Sequence, residues 1–228
     1  MLPDRLTWND AAARRDHRYL GPNDHCLYFG EFLAGSGWRA GAINDLISDF
    51  KRSPSAIAAS ASALAVQHFK DRAIAMVARA LRRQFARSSV EAVLTFVPIP
   101  PSKIPGEPDH CDRLRRTLEL AFAGLDADIR PLLRQRASTA ADHESRARRL
   151  RFAELIELTE LDPAHLERRP RPLLVLFDDV LTTGKHYRCC ERRLHEALPQ
   201  VPICGWFIAR RALPAVRRAA EMPVDYAK

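Results

Sequence analysis

The apolar residues of this chain follow two rhythms. Over residues 42–51 (AINDLISDFK), Ile43, Leu46, Ile47 and Phe50 recur at helical spacing, which predicts a short amphipathic helix that Pro54 ends. Residues 62–85 carry the same rhythm through a long helix. There Leu64, Phe69, Ile74, Val77, Leu81 and Phe85 form the face that packs on a sheet, and Lys70, Arg72, Arg79, Arg82 and Arg83 form a solvated basic face. The second rhythm is unbroken: residues 26–33 (CLYFGEFL), 90–99 (VEAVLTFVPI), 173–177 (LLVLF) and 202–209 (PICGWFIA) are strand-forming runs. A short apolar run bounded by turn signals, as 173–177 is by Pro170 and Pro172, suits a strand buried on both faces of a parallel sheet. Helical composition returns at 109–122, with Asp109 in the N-cap position, and at 185–198; residues 128–133 read as a short strand. Together these segments predict an α/β chain whose central, mainly parallel sheet is flanked by helices.

The remaining segments lack such a period. Residues 1–25 are polar, carry Arg14, Arg15, His17 and Arg18, and read as an N-terminal arm or loosely packed extension of a domain spanning 26–228. Gly35, Gly37 and Gly41 mark a turn-rich connection. Residues 134–151 are strongly polar, with Arg134, Arg136, Arg146, Arg148, Arg149 and Arg151, and a long polar connection inside a domain is an active-site flap or a disordered segment. Residues 152–159 form a short element of open type, 160–172 a linker, and 210–228 an amphipathic or frayed tail.

Composition narrows the class. The 228 residues carry 46% hydrophobic side chains, enough for a real core, and a formal net charge of +8. That charge favours phosphorylated small molecules or nucleic acid as partners. The five cysteines form no CxxC pair and no zinc spacing. The charged N-terminus has no apolar signal region, and no apolar run approaches the length of a membrane span. A cytoplasmic chain with reduced thiols and no membrane partner is the expectation.

The densest chemistry is at residues 173–187 (LLVLFDDVLTTGKHY). Ligands of an open parallel sheet sit outside the carboxyl ends of its strands. Asp178 and Asp179 directly follow the apolar run, and adjacent carboxylates can accept hydrogen bonds from two vicinal hydroxyls. Thr182, Thr183 and Gly184 then open a helix, whose free N–H groups and positive dipole end make a phosphate cradle. The stretch asks for a ribose bearing a 5′-phosphate. A second loop, VPIPPSK, follows the 90–99 strand; it is stiffened by Pro98, Pro100 and Pro101 and ends in Ser102 and the cationic Lys103.

FDDVLTTG resembles the phosphoribosyl-pyrophosphate (PRPP) motif of type I phosphoribosyltransferases: apolar strand, two acids, short spacer, Thr-Gly, helix. Over about residues 27–210 the order NDLISDFK, long helix, VP-containing strand, basic flap and DDVLTTG resembles the ComF-like branch of that superfamily. The resemblance implies the type I phosphoribosyltransferase fold with a flexible flap. It implies ribose hydroxyls on Asp178 and Asp179, and the 5′-phosphate on Thr182, Thr183, Gly184, Lys185 and His186. It implies pyrophosphate on Ser102 and Lys103, with Lys103 the catalytic cation. Mg²⁺ is then the cofactor, held mainly by PRPP and waters, with no dedicated protein ligands. The implied activity, in nucleotide metabolism, is transfer of a phosphoribosyl group to a nucleobase-like nitrogen with release of pyrophosphate, and homodimers are frequent in the superfamily. Two departures stand out. The four-cysteine zinc knuckle of ComF proteins is absent, and His186 stands where a small hydroxylated residue is frequent. The competing expectation is a non-catalytic PRPP or nucleotide sensor, or a factor binding single-stranded nucleic acid, on the same fold.

Overall fold

In the computed structural model, which describes residues 2–34, 41–86, 93–139 and 150–213, the 173–177 run lies inside a longer strand, β7 (Leu173–Leu181), near the middle of a six-stranded sheet. The other strands are β1 (Thr7–Trp8), β2 (Cys26–Phe32), β3 (Leu94–Pro98), β4 (Asp128–Ile129) and β8 (Ile203–Arg211), in the order β1-β2-β8-β7-β3-β4. Only β1 runs antiparallel to its neighbour; the other four pairings are parallel. In β7, Leu174, Val175, Leu176 and Phe177 are all fully buried, which is why the run shows no alternation.

The helices are α1 (Ala11–Arg14), α2 (Ala42–Lys51), α3 (Pro54–Ala58), α4 (Ala63–Phe85), α5 (Arg113–Ala121), α6 (Phe152–Leu158) and α7 (Lys185–Ala197). They cover both faces of the sheet. Trp206 and Phe207 are consecutive in β8 and so point to opposite faces. Trp206 meets Phe96 of β3, which packs with Phe85 of α4 and with Phe122 at the end of α5. Phe207 meets Tyr187 of α7.

Strand order sets the place of the site. From β3 the chain moves outward through α5 to β4; from β7 it moves the other way through α7 to β8. The order therefore reverses between β3 and β7, and the connections leaving their carboxyl ends diverge and leave a crevice.

Several expectations are corrected by packing. Leu64 and Phe69 are 89% and 47% exposed, because the first turns of α4 project past the elements it packs on. Lys70, expected on the solvated face, is 4% exposed: its ammonium donates to the Arg52 carbonyl at 2.6 Å and to Cys111 Sγ at 3.0 Å. Asp109 does not cap α5; its carboxylate accepts from the Ser55 amide (2.8 Å) and hydroxyl (2.9 Å), and α5 starts four residues later at Arg113. The 128–133 segment splits into β4 and β5 (Leu133–Gln135), and β5 leaves the main sheet to pair antiparallel with β6 (Thr159–Leu161). The open element at 152–159 is helix α6, and the 160–172 linker contains the end of β6 and a 3₁₀ turn at Pro163–His165. The loose arm expected of residues 1–25 is folded onto the sheet. It supplies β1 and α1, and it buries Asn9, Asp16, His17 and Asp24. Residues 90–92, Gly35, Gly37, residues 140–149 with Arg146, Arg148 and Arg149, and residues 214–228 of the expected tail lie outside the described residues. Among the described residues no helix is long and apolar enough to cross a membrane.

Phe96 is fully buried at the centre of the aromatic cluster, so Phe96→Ala should cost about 3–5 kcal/mol of stability. Urea unfolding should report this as a lower midpoint at unchanged slope, and a loss below about 1 kcal/mol would contradict the placing of the core here.

Candidate functional site

Strand β3 ends at Pro98, opposite Phe177, and the last contact between the two strands is the Ile99 N–H to the Phe177 carbonyl at 3.0 Å. Strand β7 continues to Leu181, paired only with β8, through Asp178↔Phe207, Val180↔Ala209 and Leu181↔Arg210. The acid pair therefore does not follow the strand but extends it, along an edge that β3 has vacated. The crevice opens there into a cleft of about 1290 Å³. All nine residues read from the sequence line it: Ser102, Lys103, Asp178, Asp179, Thr182, Thr183, Gly184, Lys185 and His186.

The two carboxylates are not equivalent. Asp179 is 4% exposed and clamped, Oδ1 to Lys51 Nζ at 3.1 Å and Oδ2 to Arg113 at 2.6 Å. Burial alone would raise its proton affinity, but the two cations outweigh burial and hold Asp179 well below the usual carboxylate range. Asp178 is half-buried and accepts the Asp179 N–H at 2.7 Å. Burial, reinforced by the negative charge of Asp179, pushes it up to about 7. One carboxyl is a fixed anion; its neighbour can donate or accept a hydrogen bond near neutral pH.

Beyond Leu181 the chain turns through Thr182 and Thr183 into α7. Gly184 is the N-cap with φ +81°, a left-handed conformation that L side chains rarely adopt. A Cβ there would also lie 2.7 Å from Leu20 Cδ2, so any other residue would be strained at this position. Lys185, expected to reach a phosphate, does not present its ammonium. The side chain is buried and its Nζ donates to the Leu150 carbonyl at 2.8 Å, because the start of α6 packs beside the first turn of α7.

The loop after β3 is tied at several points. The Ser102 carbonyl accepts the Thr139 N–H at 2.8 Å, the Ile104 N–H donates to Ser138 Oγ at 3.1 Å, and the Lys103 carbonyl contacts His110 Nδ1 at 2.8 Å. The described start of the basic segment, at Ser138 and Thr139, thus leans on this loop. Its first arginines, Arg134 and Arg136, both pair with Glu160 of β6 at 2.6 Å at the margin of the cleft. Arg151 turns to Glu154 in the first turn of α6, at 3.1 Å.

Sequence reasoning gave no role to four contributors: Lys51, which closes NDLISDFK, Arg113, and the pair His17 and Tyr19 behind the loop. Arg113 and Lys51 lie 66 and 128 residues from Asp179, so no local spacing signals them. Lys51 closes the amphipathic α2, where a last-turn lysine has an ordinary helix-end explanation. No protein-family model matches the chain, and no curated protein is similar enough to it to count as a relative. Fold and geometry alone therefore define the class: an α/β protein with a mostly parallel sheet and a cation-rich cleft at its topological switch point.

The clamp predicts opposite effects for two neighbouring substitutions. The folded state holds a proton on Asp178 that an unfolded Asp, ionising near about 4, has already lost, so this group makes stability fall as pH rises from about 4 through about 7. Asp178→Asn should therefore raise stability at pH 8, by on the order of 2 kcal/mol, and give no gain at pH 4. Asp179 is depressed, so its contribution is present above about 4 and lost as pH falls below it. Asp179→Asn leaves Lys51 and Arg113 without their shared anion and should cost about 3 kcal/mol at pH 8. Denaturant titrations at both pH values read the difference; the same sign for both variants at pH 8 would contradict the assigned asymmetry.

Proposed function

We propose that this chain is a phosphoribosyltransferase-like protein of type I, ComF-like character, which binds PRPP and transfers its phosphoribosyl group to a nitrogen nucleophile such as a nucleobase. The observation that carries this reading is the continuity of Asp178, Asp179, Thr182, Thr183 and Gly184 along one strand and turn, with Ser102 and Lys103 opening on the same cleft. A sugar with vicinal hydroxyls and a 5′-phosphate has the shape and charge to span that edge. Its hydroxyls meet Asp178 and the rim of the Asp179 clamp. The phosphate is received by the Thr183 and Gly184 N–H groups, the threonine hydroxyls and the first turn of α7. The side chain of Lys185 has no part in this, since its ammonium is held by Leu150.

In the transfer the bond from ribose C1 to the pyrophosphate oxygen breaks and its electron pair leaves with pyrophosphate. A bond forms from C1 to the acceptor nitrogen, which loses its proton. Lys103 and Ser102 face the leaving group, where negative charge grows, and a cation preplaced there lowers the barrier. The donor set suits a hard cation held chiefly by substrate: of the two acids at the end of β7, Asp178 offers carboxylate oxygen, while Asp179 is spent on Lys51 and Arg113. Mg²⁺ bound with PRPP would neutralise pyrophosphate charge, with Asp178 orienting its waters.

Calorimetry with PRPP and Mg²⁺, paired with pyrophosphate release over a panel of nucleobases, tests the reading. Binding should be measurable in the wild-type chain and weaker by about tenfold or more in Asp178→Asn, which keeps the shape and removes the ionisable acceptor. Binding without turnover on any base would move the assignment to a sensor. No PRPP binding, joined to a salt-dependent shift with single-stranded DNA, would move it to nucleic acid.

A further inference from the structure

The loop of residues 182–184 has two sides, and the side away from the cleft is covered by the N-terminal segment. His17 Nδ1 lies 2.5 Å from the Thr182 carbonyl oxygen, and the Tyr19 N–H donates to the Thr183 carbonyl at 3.0 Å. Leu20 lies beneath Gly184, so close that a Cβ there would meet its side chain. None of these three residues lines the cleft, whereas Thr182, Thr183 and Gly184 all do. In a planar trans peptide the C=O and the following N–H point in opposite directions. With the Thr182 and Thr183 carbonyls drawn to the far side, the N–H groups of Thr183 and Gly184 are turned toward the cleft. Among the described residues no hydrogen bond takes up either N–H.

We infer that His17 is a positioning residue for anion binding: by donating from Nδ1 to the Thr182 carbonyl it fixes the peptide whose N–H meets the ligand's phosphate. The inference rests on the anion reading of this loop. A carbonyl partner requires that Nδ1 carry the ring proton. His17 is fully buried, and burial, opposed by its bond to Thr182 and helped by the charge of Arg210, pushes it down to about 4. The ring is thus a neutral donor at ordinary pH and does not add a charge behind the loop. With the proton on Nδ1, Nε2 is an acceptor, and among the described residues it has no hydrogen-bond partner.

The N-terminal segment is anchored without this contact. Asp16 holds buried Arg210 at 2.9 Å, and Asp24 holds Arg188 at 2.9 Å and the Gly21 N–H at 2.5 Å. A histidine that merely tied the segment down would duplicate these bonds, and its loss would lower stability without touching the ligand.

The experiment uses the full chain, with ribose 5-phosphate as the probe. In the wild-type chain the probe should shift the Thr183 and Gly184 amide resonances, and long-range ring ¹⁵N–¹H spectra should place the His17 proton on Nδ1. His17→Ala should weaken ribose 5-phosphate about tenfold, whereas His17→Asn, whose side-chain N–H can reach the same carbonyl, should stay within about threefold of wild type. Wild-type affinity in His17→Ala, no rescue by Asn, or a ring proton on Nε2 would each overturn the inference; the tautomer is read in the unmutated protein and does not depend on a variant folding. Unshifted amides at Thr183 and Gly184 in the wild-type chain would instead overturn the anion reading of the loop, a failure distinguishable from the others because the ring proton is located without ligand.

Discussion

One constraint organises this molecule: β7 outruns β3. Pairing between them stops at Pro98 and Phe177, yet β7 continues through Leu181 against β8 alone. A half-paired strand in the middle of a sheet would expose backbone and side chains that a core strand hides. Here those positions are Asp178 and Asp179, polar residues that suit an open edge. Proline explains why β3 stops: Pro98, Pro100 and Pro101 remove three N–H donors in four residues, so no ladder can continue. The crevice follows from where the chain runs out of donors on one strand and goes on pairing on the next.

The charges follow from that geometry. Two adjacent carboxylates, one buried and one half-buried, repel each other in the crevice, and the fold relieves the repulsion on one side only. Lys51 from α2 and Arg113 from α5 converge on Asp179, so three elements distant in the chain meet at a single carboxylate. Asp178 is left with the Asp179 N–H and a raised proton affinity. Behind the loop, the N-terminal segment meets the Thr182 and Thr183 carbonyls through His17 and Tyr19.

What the sequence revealed depended on how local the physics was. Helix α2 was legible because its whole apolar stripe falls within ten residues. That Asp178, Asp179, Thr182, Thr183 and Gly184 share one cleft was legible for the same reason, since they are nearly contiguous. The first turns of α4 were misread, because periodicity cannot say that Leu64 and Phe69 project beyond the packed part of the helix. Lys70 looked solvated because its partners, the Arg52 carbonyl and Cys111, come from other segments. Residues 1–25 looked loose since their buried polar groups have remote partners: Asp16 pairs with Arg210 and His17 with Thr182. Long-range pairing of polar groups leaves no period, so a polar stretch whose partners are remote reads like one that is free.

The most direct test of the account is a crystal structure of the chain grown with PRPP and Mg²⁺. The account predicts the 5′-phosphate within hydrogen-bond reach, about 2.7–3.2 Å, of the Thr183 and Gly184 amide nitrogens, with the ribose hydroxyls toward Asp178. A phosphate bound elsewhere, with the turn at Gly184 closed and its amides engaged by protein, would contradict it.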